Sequence, residues 1–127
     1  MKIVKIKDLE GTSRKIEFQY GGFLSYRVVI KKDKMGFGIC KTIVPKCEPQ
    51  LWHYENHLEA CYCIEGKGQI VNLETGEKFD IDVDTTYILD KNDKHTFQAL
   101  SDRVVLISVF NPPLNGNETH KDGGSYE

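Results

Sequence analysis

Long apolar stretches are missing from this 127-residue sequence. No run approaches the ~20 residues needed to cross a bilayer. The opening MKIVKIKDLEG has neither an extended apolar core nor a small-residue cleavage site, so the chain is expected to stay in the cytoplasm without a membrane partner. A surplus of one charge sign is missing too: 17 Lys and Arg stand against 19 Asp and Glu, for a net charge of -2. Without a basic field to neutralise phosphates, no nucleic-acid partner is expected. The four cysteines include no Cys-x-x-Cys pair. Cys40, Cys47, Cys61 and Cys63 therefore read as reduced, small apolar side chains rather than as bridges or zinc ligands. Helical periodicity is nearly absent, which argues against an all-α or α/β architecture.

What the chain does have is short runs rich in Val, Ile, Tyr and Phe, separated by clusters of Gly, Asp and Asn. That is the pattern of an all-β, antiparallel sandwich or barrel. Strands are expected over 27–31, 36–44, 59–65, 68–72, 78–83, 86–89, 95–99 and 103–110. A Thr-Gly signal within 71–77 and the glycines of Glu65-Gly-Lys-Gly mark hairpin corners. One short helical segment is expected between Lys5 and Gly11. The length suits a single domain over 1–127. Its stretch 111–127, rich in Pro, Gly and Asn, has the composition of a frayed terminus or of a lid.

Chemistry concentrates in two blocks. HYENHLEACYCIEGKG (53–68) places Glu59 at the entry of an apolar strand that ends at Gly66. YILDKNDKH (87–95) runs from a strand through a polar turn to His95. Period-two geometry puts His53, His57, Glu59, Cys61 and Cys63 on one nominal face, and Tyr87 with Leu89 on another. His95 alone reads as a solvated residue and Tyr87 alone as a core aromatic. Glu59 is harder to dismiss. A carboxylate among Leu58, Ala60, Cys61 and Tyr62 is costly to bury unless a cation or several donors compensate it. The set Glu59, Tyr87 and His95 offers two oxygens and one nitrogen, which suits iron or manganese better than soft-thiolate zinc or all-oxygen magnesium.

The spacing from Glu59 to Gly66, and the histidine after the 90–94 turn, resemble the two cupin motifs, although the usual histidine pair before the glutamate is incomplete. This implies a cupin-type, jelly-roll-like barrel. The strings WHYENHLEACYCIEGKG, YILDKNDKH, VFNPPLNGNETH and DGGSY together resemble the ectoine synthase family over essentially the whole chain.

The resemblance implies a dehydratase (hydro-lyase) that cyclises N-γ-acetyl-L-2,4-diaminobutyrate, an N-acetylated diamino acid, to the compatible solute ectoine. It implies an iron centre, Fe2+, held by Glu59, Tyr87 and His95, with manganese or zinc as alternatives, and a homodimer. It carries substrate contacts onto Phe23, Arg27, Thr42, Ser108 and Phe110, and catalytic roles onto Tyr54, His57, Glu118 and His120. Tyr54, His57 and His120 are the candidates for proton transfer, and Glu118 for orienting His120 or binding the substrate ammonium. It also makes the tail a lid. Without the resemblance, Arg27 reads as a surface strand arginine and Glu118 as a solvated loop carboxylate. The family's tryptophan and first arginine are Phe23 and Tyr26 here, its Thr-His-Ile-His-Tyr reads Gln50-Leu-Trp-His-Tyr54, and its cysteine before Phe110 is Ser108. These departures keep open a related N-acyl diamino acid as substrate. A non-enzymatic binding cupin is the reading from a different class.

Overall fold

Alternation of buried and exposed side chains governs this structure, a computed structural model that describes residues 1–18 and 22–118. Ten strands form: β1 (Lys15–Glu17), β2 (Leu24–Val29), β3 (Gly38–Pro45), β4 (Gln50–Trp52), β5 (Leu58–Glu65), β6 (Gly68–Asn72), β7 (Lys78–Ile81), β8 (Thr86–Leu89), β9 (His95–Ala99) and β10 (Arg103–Asn111). They pair antiparallel into two sheets, β1-β2-β3-β10-β5-β8 and β4-β9-β6-β7. Among the described residues, no helix is long and apolar enough to cross a membrane.

The two sheets turn their apolar faces toward each other. β9 sends His95, Phe97 and Ala99 inward, and β5 sends Glu59, Cys61 and Cys63 inward while Leu58, Tyr62 and Ile64 stay exposed. β10 buries Val104, Val105 and Leu106 in succession. A register shift against β5 between Val105 and Leu106 makes this possible, because an irregular step carries neighbouring side chains off strict alternation. The core between the sheets holds Val44, Phe97, Leu106 and Leu114, with Trp52 stacked on Phe97 at 5.1 Å between ring centroids. Each such aromatic contributes about 1.5–3 kcal/mol through area removed from water.

The strands expected over 68–72, 86–89 and 95–99 form with those bounds. The strand expected at 27–31 instead ends at Val29. Ile30 opens a 3-10 turn over Lys31–Asp33, and its backbone N–H donates to the Asp33 carboxylate at 2.9 Å. The segment expected to be helical between Lys5 and Gly11 tightens to a 3-10 turn, Ile6–Leu9. β1 and β4 have three residues each, too few to show a period. Residues 112–118 continue from β10 back over the barrel: Leu114 is fully buried and its carbonyl accepts the Lys31 N–H at 2.8 Å. The rest of the expected lid, 119–127, lies outside the described residues.

Gly66 closes the β5–β6 hairpin at φ +92°, where an added Cβ would stand 2.1 Å from the Arg103 carbonyl oxygen. Gly76 has a similar φ of +78° but open space around it. Gly76→Ala should therefore cost only the backbone penalty of about 1–2 kcal/mol. Gly66→Ala should exceed it by adding a clash that the ladder cannot relieve. Urea unfolding of the two variants checks this through their midpoints at unchanged slope.

Candidate functional site

One row of side chains crosses the six-stranded sheet on its inner face. Arg27 on β2 is the Cα partner of Cys40 on β3, Cys40 of Ser108 on β10, Ser108 of Cys61 on β5, and Cys61 of Tyr87 on β8. Two residues along, Phe110 on β10 partners Glu59 on β5. The opposite sheet contributes His95 from the first position of β9, paired with Trp52 on β4. Phe23, Thr42, Tyr54, Glu59, Tyr87 and Ser108 border one narrow cleft, with room at its centre for about one water-sized sphere of 10 Å3. His95 borders a second, wider cleft of about 360 Å3, and Tyr87 stands in the wall between the two. The Tyr87 and Tyr54 rings each lie 6.3 Å from the His95 ring.

The interior is short of hydrogen-bond donors at two points. His95 is fully buried and its Nδ1 lies 2.9 Å from the Asp93 carbonyl oxygen. A carbonyl only accepts, so in the neutral ring Nδ1 carries the proton and Nε2 presents a lone pair. Burial lowers the His95 pKa and favours that neutral ring. Nε2 has no hydrogen-bond partner among the described residues, and neither does Glu59 Oε1. Glu59 is 5% exposed, and burial pushes its carboxyl up to about 7, with the neighbouring Cys61 thiol acting in the other direction. Burial likewise raises the Cys61 thiol well above its ordinary value and the Cys40 thiol to about 12, so both remain protonated at neutral pH. Two buried acceptors without donors are what a cation satisfies, and Tyr87 adds a phenol oxygen beside them. Among the described residues, no three His, Cys, Asp or Glu side chains cluster around a common point. Glu59 and His95 contribute one carboxylate and one imidazole to the interior.

A second cluster handles charge. Arg27 is completely buried, contrary to its reading as a surface residue. Its Nε donates to Ser25 Oγ at 2.8 Å, its Nη2 donates to the Glu118 carbonyl at 2.8 Å, and its Nη1 lies 3.7 Å from Glu118 Oε1. Glu118 is buried rather than solvated, and its carboxylate accepts the N–H groups of Asn115 at 2.6 Å and Gly116 at 2.7 Å. His57 packs edge-on against Phe110 at 6.0 Å, as does Tyr54 at 5.8 Å. Burial lowers the His57 pKa, with the Glu118 charge acting in the other direction.

Every residue expected to bind metal, bind substrate or transfer protons thus sits in or beside the barrel interior except His120, which lies outside the described residues. His53 does not share the face of Glu59: it stands before β5 and pairs with the exposed Glu55 at 3.7 Å. Tyr26 faces away from the cleft and donates to Glu10 at 2.6 Å, so that departure from the family string leaves the cleft walls untouched. Phe23 and Trp52 touch edge to face at 5.9 Å, and Trp52 supplies an indole to the wall where position 23 has none. Sequence reasoning missed Asn92. At φ +51° its side-chain amide donates to the carbonyls of Tyr54 (3.0 Å), Glu55 (3.3 Å) and His57 (3.2 Å), tying that loop to the turn before β9. Its signal was only its place in a polar turn.

The fold is a cupin-type barrel. A cupin domain of Schizosaccharomyces pombe Cnp3 superposes with a TM-score of 0.61 at 13% identity, covering 76% of this chain and 64% of that one. The family model described as ectoine synthase matches residues 1–127, and the chain belongs to that family. It is 45% identical over 127 residues to the L-ectoine synthase of Alkalilimnicola ehrlichii, covering 99% of this chain and 94% of that protein. The crystal structure of ectoine synthase from P. lautus matches with a TM-score of 0.83 at 34% identity, covering 91% of this chain and 81% of that one.

Because the buried Glu59 carboxyl ionises near 7 rather than at its ordinary 4.5, the folded state holds its proton more tightly than the unfolded chain does. In chelator-treated protein this group's contribution to stability should fall between pH 4.5 and about 7 and level off above. Glu59→Gln should remove that slope, read from urea unfolding of both proteins across the window.

Proposed function

We propose that this protein is an ectoine synthase that closes N-γ-acetyl-L-2,4-diaminobutyrate into ectoine with loss of water, and that Glu59, Tyr87 and His95 hold an iron ion for it. The observation that carries the reading is the pair of buried acceptors, Glu59 Oε1 and His95 Nε2, in a chain of the ectoine synthase family. A mixed oxygen and nitrogen set suits iron, with manganese next. The bound cation supplies Lewis-acid polarisation of the substrate's amide carbonyl.

The chain's own residues do the rest. Arg27, with its guanidinium fixed by Ser25 and by Glu118, holds the substrate carboxylate. The Glu118 carboxylate holds the ammonium end. Phe110 and the Phe23–Trp52 pair shape the cleft so that the diamino acid folds on itself, with Thr42 and Ser108 as polar contacts. Orientation of this kind can supply several of the ~7–11 kcal/mol available to a well-placed intramolecular reaction. The α-ammonium must lose a proton before it attacks, and neutral His57 stands ready to take it. The carbonyl oxygen leaves as water, and Tyr54 and His120 are the groups that return protons. Residues 112–118 are the described part of a lid over the mouth.

The protein works in the cytoplasm, supplying a compatible solute under osmotic stress, as a homodimer. Support for the dimer comes from exposed apolar side chains on β5 and β8, Leu58, Tyr62, Ile64 and Ile88, which a partner would remove from water.

The decisive experiment incubates anaerobically purified, Fe2+-loaded protein with N-γ-acetyl-L-2,4-diaminobutyrate and follows ectoine by chromatography. Ectoine should form and cease on chelation. Glu59→Ala should remove metal and activity from a folded barrel, and Arg27→Lys should raise KM by roughly tenfold or more at unchanged metal content. Folded, metal-replete protein that makes no ectoine overturns the assignment.

A further inference from the structure

Two connections cross from one sheet to the other at the same end of the barrel. Residues 53–57 lead from β4 to β5, and residues 90–94 lead from β8 to β9. They run side by side because their ends are paired in both sheets: Trp52 is the Cα partner of His95, and Glu59 of Leu89. The strand ladders fix Glu59 and His95, the first also against Phe110 and the second also against Asn72. Tyr54 and His57 stand outside the ladders, in the connection between β4 and β5.

Asn92 joins the two connections. Its amide nitrogen donates to the carbonyls of Tyr54 at 3.0 Å, Glu55 at 3.3 Å and His57 at 3.2 Å. Carbonyls only accept, so the nitrogen rather than the oxygen of this amide faces them. The turn that carries Asn92 is itself held: the Lys91 N–H donates to the Asp93 carboxylate at 3.2 Å, and the Asp93 carbonyl lies 2.9 Å from His95 Nδ1. Asn92 has φ +51°, a left-handed conformation that asparagine adopts at less cost than most residues. Aspartate would fit the backbone and the space but would set a carboxylate oxygen against three carbonyl oxygens. Glycine would keep the backbone and remove the donor.

We propose that Asn92 is a positioning residue for proton transfer: its amide clamps the 53–57 connection so that Tyr54 and His57 keep their places relative to His95. The proposal rests on the reading that Tyr54 and His57 move protons during ring closure. Misplacing reacting groups by about 1 Å can lower turnover by roughly 100-fold. The ladders, by contrast, keep Glu59 and His95 in place whether or not the clamp is present.

The test compares Asn92→Asp and Asn92→Gly with the parent protein. It reads kcat and KM of the iron-loaded enzyme with N-γ-acetyl-L-2,4-diaminobutyrate, Co2+ affinity by competition with a chelator, and amide hydrogen exchange in peptides spanning 53–57. Both variants should lower kcat by roughly 10–100-fold while KM and Co2+ affinity stay within about threefold of the parent. Asn92→Asp should lose at least as much as Asn92→Gly. Exchange in 53–57 should quicken by roughly tenfold in both, with β5 and β9 unchanged. Variants that turn over as the parent does overturn the positioning role. A loss of Co2+ affinity that matches the loss of kcat also overturns it, because Asn92 then supports the barrel as a whole. Folded, metal-replete parent protein that makes no ectoine overturns the underlying reading and the proposal with it, a result the parent alone shows.

Discussion

The register of β10 between β3 and β5 decides which chemistry this protein can perform. With a side-chain period of two, sliding β10 by one residue would turn Ser108 and Phe110 to the outer face and bring Ile107 and Val109 inside. The row from Arg27 to Tyr87 exists only because four consecutive pairings keep their phase across five strands. The irregular step at Val105 and Leu106 lies beyond this row, toward the end of β10 where the core is purely apolar. Packing tolerates that departure from alternation, and the polar row above it stays in phase.

Inside this frame, charge and lone pairs are divided between two places. The cation of Arg27 meets the Glu118 carboxylate and main-chain carbonyl, with Ser25 taking a further N–H, so one end of the interior is supplied with donors and acceptors together. The other end has the opposite character: Glu59 Oε1 and His95 Nε2 are buried acceptors with no hydrogen-bond partner among the described residues. Removing one member of a buried pair leaves an uncompensated charge, which costs more than the pair itself contributes. The interior thus keeps its paired charges at Arg27 and Glu118 and its unpartnered lone pairs at Glu59 and His95.

Much of the strand set was legible because β6, β8 and β9 keep clear alternation or clear turn boundaries. β1 and β4 were not, since three residues carry no period, and Ile30 left its strand because Asp33 offers it a hydrogen bond that sequence patterning does not encode. Glu59 was conspicuous for its apolar neighbours, and Tyr87 and His95 followed from the strand-turn-strand spacing and the family strings. Arg27 and Glu118 looked ordinary taken singly: their burial depends on a contact 91 residues apart in the chain. Cys61 looked like filler, because the Ser108 hydroxyl 3.2 Å from its thiol lies 47 positions away on a strand whose neighbours no local pattern reveals.

That 91-residue separation between Arg27 and Glu118 also constrains how the protein is made. During synthesis the β2–β3 hairpin emerges early, carrying Arg27 well ahead of its partner Glu118. Until residue 118 leaves the ribosome, the guanidinium lacks the contacts that the Glu118 carboxylate and carbonyl give it. A polypeptide cut short before Glu118 leaves Arg27 without its carboxylate, and a buried charge stripped of its partner costs about 3–5 kcal/mol.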